Sequence, residues 1–525
     1  MFRSSPFLVR RLLSAFSALT AGIGLFGAWA LSSPIGSSAD ETFHLTAVWC
    51  GDQIGGEFCT HDSDDTFARI QRQKEFLVPA YVADGLSCIG GHVGISAACQ
   101  LKKDADQKES IFLNETLLGY GANPGLFYEL GQRFVSADTE SSVIQIRITN
   151  GMLAVILLLV TLSIQRLINH QTRLGYAVLA GLTPPFMFLV PSVNPTSWMF
   201  VGVPIAALGF RNCLDQRISI PLRLASTILA LVAGLLAAGA KPETSLWLVT
   251  IASCLLATNA LREKLSTSTY LSVRERRNLF PMGIVVALVF IATSPWTIGR
   301  HVAFGEPIEG PNRTWWRILA NNLLTLPDFL IGFVGGGTWN VAAHQRFVVP
   351  SLAILCSLVV IIFTIFFLYR GADRETRFAS ILILSGGILW TLSIHQANSY
   401  YIGKIVQPRY LFPLFLAALL ILGQRSSAFF STRLSVAMVG IGSIGHSVLL
   451  YQHLRRYVVG LREWVNDDLG CVACELTPSE WWWSGLPSPT FVWIVGSLCF
   501  AVFGWLITTP PKPEIIPLRM SRVES

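Results

Sequence analysis

The sequence predicts an all-α integral membrane protein of about twelve transmembrane helices, with a large first loop outside the cytoplasm. Three observations carry this. Of 525 residues, 52% are hydrophobic and 14% are charged, where a soluble domain carries about 25% charged residues. Apolar runs near the length of a bilayer-spanning helix, roughly 20 residues, recur along the whole chain. Basic residues gather in alternate connecting loops, the positive-inside bias.

The apolar runs fall at about 11–31, 146–165, 174–191, 195–210, 222–240, 244–260, 279–297, 349–369, 378–394, 408–423, 434–451 and 490–508. The third and fourth are nearly continuous, and Pro191, Asn194 and Pro195 divide them as a tight turn. With a cytoplasmic N-terminus, the short inner loops are basic: Arg211, Arg217 and Arg223; then Arg262, Lys264, Arg274, Arg276 and Arg277; then Arg370, Arg374 and Arg377. Both termini are then cytoplasmic, in a multi-pass protein of the plasma membrane. The formal charge of +7 reflects basic loops facing anionic lipid rather than a nucleic-acid partner.

The domain organisation follows. The first helix occupies 1–31, and a first outer loop runs from 32 to 145. Helices two to seven fill 146–297, a second outer loop 298–348, helices eight to eleven 349–451, and a third outer loop 452–489. The last helix is 490–508, and a Pro-rich, disordered cytoplasmic tail is 509–525. Ala28-Trp29-Ala30 resembles a signal-peptidase site, but the apolar stretch is longer than a signal core, so an uncleaved helix is the expectation. The first loop holds turns at Gly55-Gly56, Gly90-Gly91 and Asn123-Pro124, and a short helix is expected near 66–77.

Ten cysteines fit an oxidising exterior. Cys213, Cys254, Cys356 and Cys499 fall in or beside spans. Cys50, Cys59, Cys88, Cys99, Cys471 and Cys474 fall in outer segments, where an even number suggests disulfides. The local pairs Cys50–Cys59 and Cys88–Cys99 are the simplest arrangement. Cys471-Val-Ala-Cys474 reads as a small disulfide loop, with a zinc half-site or redox pair as the alternatives.

The sharpest cluster is Asp40-Glu41-Thr42-Phe43-His44, just past the first span. Adjacent acids beside a membrane helix are costly unless they face water, a cation or a partner. If 39–50 is helical, Asp40 and His44 share a face. A carboxylate there suits a general base on a hydroxyl or a ligand to a divalent cation; the alternative is a capped interfacial helix. Gln407-Pro408-Arg409-Tyr410-Leu411-Phe412-Pro413 lies at the outer mouth of a span. Arg409 there either forks a phosphate or snorkels to lipid headgroups. Lys241-Pro242-Glu243 forms a very short outer turn, its charges paired with each other or facing a cavity. His344 and His395 lie near outer span ends. The run Trp481-Trp482-Trp483 reads as an interfacial aromatic belt or a sugar-stacking platform. Asn114 and Asn312 begin glycosylation sequons. Gly335-Gly336-Gly337 lacks the Walker lysine, so no nucleotide-hydrolysing loop is visible.

One helix, a long outer loop opening with an acidic pair, and many further spans resemble the GT-C superfamily of polyprenyl-phosphate-sugar glycosyltransferases. Ser33-Pro34-Ile35-Gly36 through Asp40-Glu41-Thr42-Phe43-His44 is similar to the P-x-G…DE-x-x-H opening of a bacterial, actinobacterial-type family of polytopic membrane proteins of unknown function. Val193-Asn194-Pro195-Thr196-Ser197, the segment 407–413 and Arg456-Tyr457-Val458-Val459-Gly460 are similar to that family as well. The chain departs from the pattern at Pro408, where glycine is expected, and at Asn340, where an acid is expected.

The resemblance implies a GT-C-like fold with the first outer loop packed over the bundle. It implies a polyprenyl-phosphate sugar donor, a glycan or protein acceptor in the cell envelope, and catalysis by Asp40 or Glu41 at the outer membrane face. Substrate contacts are then expected from His44, Lys241, Glu243, His344, His395, Arg409 and Tyr410. A transporter or flippase of lipid-linked glycans, or a non-catalytic assembly protein, are the other readings. Catalysis requires convergence on one cavity that opens at the outer face between the first outer loop and the bundle: Asp40 or Glu41 must line it, with Arg409 and at least one of Lys241, Glu243, His344 or His395 on the facing walls, and a hydrophobic groove must run sideways from it into the lipid for the polyprenyl tail.

Overall fold

Nine helices among the described residues are long and apolar enough to cross a membrane. The computed structural model describes residues 6–51, 59–61, 73–84, 95–102, 108–114, 123–169, 173–215, 217–265, 314–337, 349–404, 406–428, 430–460, 476 and 481–509. In chain order the elements are α1 (Pro6–Leu31), α2 (Glu41–Cys50), β1 (Thr60–His61), β2 (Gln73–Pro79), α3 (Ala80–Asp84), a 3-10 turn (Ala97–Lys102), β3 (Lys108–Asn114) and α4 (Leu126–Gln132). There follow α5 (Thr139–Ile168), α6 (Leu174–Gly181), α7 (Pro184–Leu189), α8 (Thr196–Leu214), α9 (Ile220–Ala238), α10 (Glu243–Leu265) and α11 (Trp315–Ile331). The last five are α12 (Ser351–Gly371), α13 (Arg374–Ala397), α14 (Pro408–Arg425), α15 (Thr432–Val458) and α16 (Pro489–Thr508).

Burial sorts these helices into a centre and a lipid face. Nearly every side chain of α8 and α14 is buried. Outer helices expose apolar stripes at helical spacing: Ile220, Leu224, Ile228, Val232 and Leu235 on α9, and Phe491, Ile494, Leu498, Val502 and Trp505 on α16. Such stripes are incompatible with water and match acyl chains. Close contact between α8 and α9 depends on small residues. A methyl added at Gly202 would collide with the Ala233 carbonyl and Ala237, and one at Gly209 with Ala230 and the Ser226 carbonyl.

Five differences from the sequence reading have local causes. The expected span 174–191 is two short helices, α6 and α7, because Pro184 and Pro185 cannot donate to the preceding turn and instead start a new helix. The spans expected at 244–260 and 408–423 are helices α10 and α14, but they fall outside the nine; α14 has the polar ends Arg409, Gln424 and Arg425. The membrane-length helix Trp315–Val334 lies inside the expected second loop. The first loop is not purely helical: β1, β2 and β3 form an antiparallel sheet, with Gln73 opposite Asn114 and Pro79 opposite Lys108. Gln73 to Leu77 are therefore strand where a helix was expected near 66–77. Finally, Trp481, Trp482 and Trp483 are buried against protein, with Trp483 Nε1 donating to the Leu31 carbonyl at 2.7 Å. They form neither a lipid belt nor an open sugar platform. The expected span 279–297, His344, Asn340, Asn312, Cys88, Cys471, Cys474 and the tail from 510 lie outside the described residues.

Two polar seams close the ends of the bundle. At one end, α2 and the first loop sit on α5 and α15: Arg456 Nη1 donates to the Ile95 carbonyl at 2.9 Å, and Ser96 Oγ to that of Val458 at 2.6 Å. At the opposite end, Arg211 binds Thr376 at 2.6 Å, and Arg425 pairs with Asp215 and lies 3.7 Å from Glu375. A disulfide joins Cys50 at the end of α2 to Cys59, as the spacing suggested. Cys99 is also disulfide-bonded.

Candidate functional site

The turn between α1 and α2 is built around one buried arginine. Arg147, in the first half of α5, is 1% exposed. Its five N–H groups have five acceptors. Nη1 donates to the carbonyls of Ala30 at 3.1 Å and Ser33 at 2.6 Å. Nη2 donates to the Pro34 carbonyl at 2.9 Å and to Glu41 Oε2 at 2.8 Å, and Nε to Glu41 Oε1 at 3.1 Å. Glu41 is equally saturated. Besides Arg147 it accepts from the Ser38 amide at 3.1 Å and the Val193 amide at 3.0 Å, so four donors fill its four lone-pair positions. Asn194 Nδ2 holds the neighbouring Ala39 carbonyl at 2.6 Å. The Pro34, Val193-Asn194 and Glu41 segments are thus one buried lock.

The lock sets the geometry of Asp40. Its neighbours on both sides are pinned, and Asp40 takes a left-handed conformation with φ 57°. Non-glycine residues rarely adopt this region, and aspartate is among those that tolerate it. Whereas Glu41 is fully buried, the Asp40 side chain is 56% exposed. Asp40 Oδ2 accepts from Arg409 Nη2 at 2.6 Å. Arg409 also reaches the Tyr410 hydroxyl at 3.2 Å, and its guanidinium lies 5.1 Å from that ring's centroid. Lys241 Nζ lies 5.8 Å from the same ring. Two cations therefore share one tyrosine beside one exposed carboxylate. Pro408 stands in the first turn of α14, where a missing N–H costs no helical bond.

His44 lies one turn along α2 and is buried. Its Nδ1 is 2.9 Å from the Tyr128 hydroxyl, which Asn123 Nδ2 binds at 3.1 Å. Burial, reinforced by Lys241 and Arg409 against the pull of Asp40, pushes His44 well below its ordinary value of 6.5. The imidazole is neutral at pH 7. For Asp40, burial works upward, but Arg409, His44 and Lys241 outweigh it and hold the carboxyl below its ordinary 3.8. It is ionised at neutral and mildly acidic pH.

The structure therefore brings together Asp40, His44, Lys241, Arg409 and Tyr410, from α2, the α9–α10 turn and α14. Glu243 opens α10, with its Oε2 buried and no partner among the described residues; it forms no ion pair with Lys241 there. His395 does not face the cluster. Its Nε2 accepts from the Val406 amide at 3.3 Å and its Nδ1 meets the Thr391 carbonyl at 2.7 Å, which braces the loop leading to Arg409. Asn322 braces the same loop from α11, donating to the Tyr400 carbonyl at 3.1 Å and accepting from the Ile402 amide at 2.7 Å. Among the described residues no group of three or more His, Cys, Asp or Glu is placed to hold a metal.

The sequence reading passed over Arg147, Tyr128, Asn123 and Asn322. A signal for Arg147 was present: it is a lone charge at the head of the apolar run 146–165, and such charges need a partner.

Comparison with known families gives a match over most of the chain. The family described as Predicted membrane protein (DUF2142) matches residues 23–418, a stretch that holds every residue of the Asp40–Arg409 cluster. No curated protein and no solved structure matches the chain.

Proposed function

We propose, from the premise that this chain belongs to the DUF2142 family of predicted membrane proteins, that it is a membrane glycosyltransferase of GT-C type. It would transfer a sugar from a polyprenyl-phosphate donor to a cell-envelope acceptor. The observation that carries the reading is the Asp40–Arg409 contact, 2.6 Å across 369 residues of sequence, with Lys241 beside it. It puts an exposed carboxylate next to two cations at one end of a membrane bundle. The arginines Arg211, Arg217, Arg370, Arg374 and Arg425 lie toward the opposite end, which supports placing the Asp40 end outside the cytoplasm.

Roles follow from availability. Glu41 has no lone pair left, so Asp40 is the base. In the free protein Arg409 occupies Asp40 and lowers its basicity. A donor phosphate offers Arg409 and Lys241 a second anion, which releases Asp40 toward the acceptor. The acceptor oxygen then bonds to the sugar's anomeric carbon as the bond from that carbon to the phosphate oxygen breaks. The hydroxyl proton passes to Asp40, and the polyprenyl phosphate departs with the bonding electrons, its charge met by Arg409 and Lys241. His44, neutral and buried, orients the carboxylate's helix rather than exchanging the proton.

A second reading has one observation in its favour. The break between α6 and α7 interrupts a helix inside the bundle, a feature that lines substrate paths in transporters. Reconstitution in liposomes with a labelled polyprenyl-phosphate sugar separates the two. A glycosylated product that is lost in Arg409→Gln supports transfer; label crossing the bilayer without product formation overturns it in favour of a flippase.

A further inference from the structure

Beside the α6–α7 break lies a small pocket that the reading above does not use. It has about 20 Å³ of room for a water-sized sphere and is bounded in part by Thr183, Ser357, Gly442, Gly445, His446 and Phe500. Gly442 and Gly445 stand one turn and one residue before His446 on α15; a methyl at Gly445 would collide with Cys356 of α12.

Two polar groups border this pocket without a protein partner among the described residues. Thr183 stands at the N-cap position of α7, yet its side chain makes no capping bond. Its hydroxyl is buried and unpaired. His446 is 4% exposed, and its tautomer is fixed by geometry. Trp29 Nε1 donates to His446 Nε2 at 2.8 Å. An indole N–H only donates, so Nε2 carries no proton and Nδ1 carries the single imidazole hydrogen. Nδ1 is buried with no acceptor from the protein among the described residues. Phe500 stacks on the ring at 4.3 Å and 18°, and a flip of the ring within that plane would give up the Trp29 bond.

A buried donor and a buried hydroxyl left unpaired are each destabilising, because both give up their hydrogen bonds to water on folding. The pocket's volume exceeds the roughly 10–15 Å³ that one water needs. We propose that this pocket is a binding site for one water molecule, which accepts from His446 Nδ1–H and bonds the Thr183 hydroxyl. The water completes the N-cap that the threonine side chain does not make. It ties the broken α6–α7 segment to α15, and it is independent of the Asp40 chemistry.

A high-resolution map of the full chain in lipid nanodiscs tests this, with Thr183→Val and Thr183→Ser as comparisons. The expected result is ordered density about 2.6–3.2 Å from both His446 Nδ1 and Thr183 Oγ1. Thr183→Ser, which keeps the hydroxyl, should retain it, and Thr183→Val should lose it. Thr183→Val should also raise the unfolding equilibrium constant about fivefold or more relative to Thr183→Ser. Wild-type maps without density at that point, or density unchanged in Thr183→Val, would overturn the assignment.

Discussion

Replacing Glu41 by glutamine separates the buried lock from the exposed chemistry. Glu41→Gln preserves shape, so its cost is electrostatic. An amide keeps one oxygen, which still accepts from Arg147 Nε and the Val193 amide. Its NH2 then faces the Ser38 amide and Arg147 Nη2, both donors, so two of the four hydrogen bonds at this side chain are lost. Bonds to charged groups contribute about 1.5–3 kcal/mol each, and breaking one side of a buried ion pair costs about 3–5 kcal/mol because the other charge stays buried. Glu41→Gln is therefore expected to destabilise the protein by about 3–5 kcal/mol, measured by equilibrium unfolding of purified protein in mild detergent. Arg147→Lys, with three donors for five acceptors, should fall in the same range. A Glu41→Gln loss below about 1 kcal/mol, less than a single bond to a charged group, would refute the view that this pair holds the first turn in place.

Three further outcomes are expected. The folded-state pKa of His44 lies below its unfolded value, so between the two the unfolded chain holds more protons; the stability from neutral His44 is complete above about pH 6.5 and falls as pH drops below it. Thermal unfolding between about pH 7 and 5 should show a steeper decline in wild type than in His44→Gln, and parallel slopes would contradict the buried neutral ring. Cys50→Ser opens a nine-residue link and should cost about 2–3 kcal/mol, read as a lowered unfolding midpoint that Cys59→Ser reproduces. Gly202→Leu must push α9 away from the α8 backbone and should reduce the yield of monodisperse protein in size-exclusion chromatography. Val232→Ala, on the lipid face of α9, should leave the elution profile intact.

The parts legible in the sequence were those with a local signature. Asp40, Lys241 and Arg409 stand out as charges at the ends of apolar runs, and they meet around Tyr410. The Cys50–Cys59 bridge follows from a short separation within the first loop. What escaped depends on tertiary contact. Asp40 and Glu41 look equivalent in sequence, and only the five-donor grip of Arg147 makes one a buried lock and leaves the other open. Trp481 to Trp483 have the composition of an interfacial belt, but they cover the end of α1. The strand Gln73–Pro79 is short and polar at one end, so it carries little periodicity of its own and takes its form from pairing with β3. The α6–α7 break was hidden because the apolar run continues unbroken through Pro184 and Pro185.

The most direct test of the central claim compares wild type with Asp40→Asn in transfer from a labelled polyprenyl-phosphate sugar. Asp40 is more than half exposed but its partner Arg409 is buried, so the substitution leaves a buried charge without its anion; the unfolding midpoint is measured beside the rate, and rates are compared per folded protein. The account predicts a loss of about 10²–10⁴-fold in the transfer rate, the range of a general base, with donor binding retained. Transfer at the wild-type rate by a folded Asp40→Asn protein would contradict it.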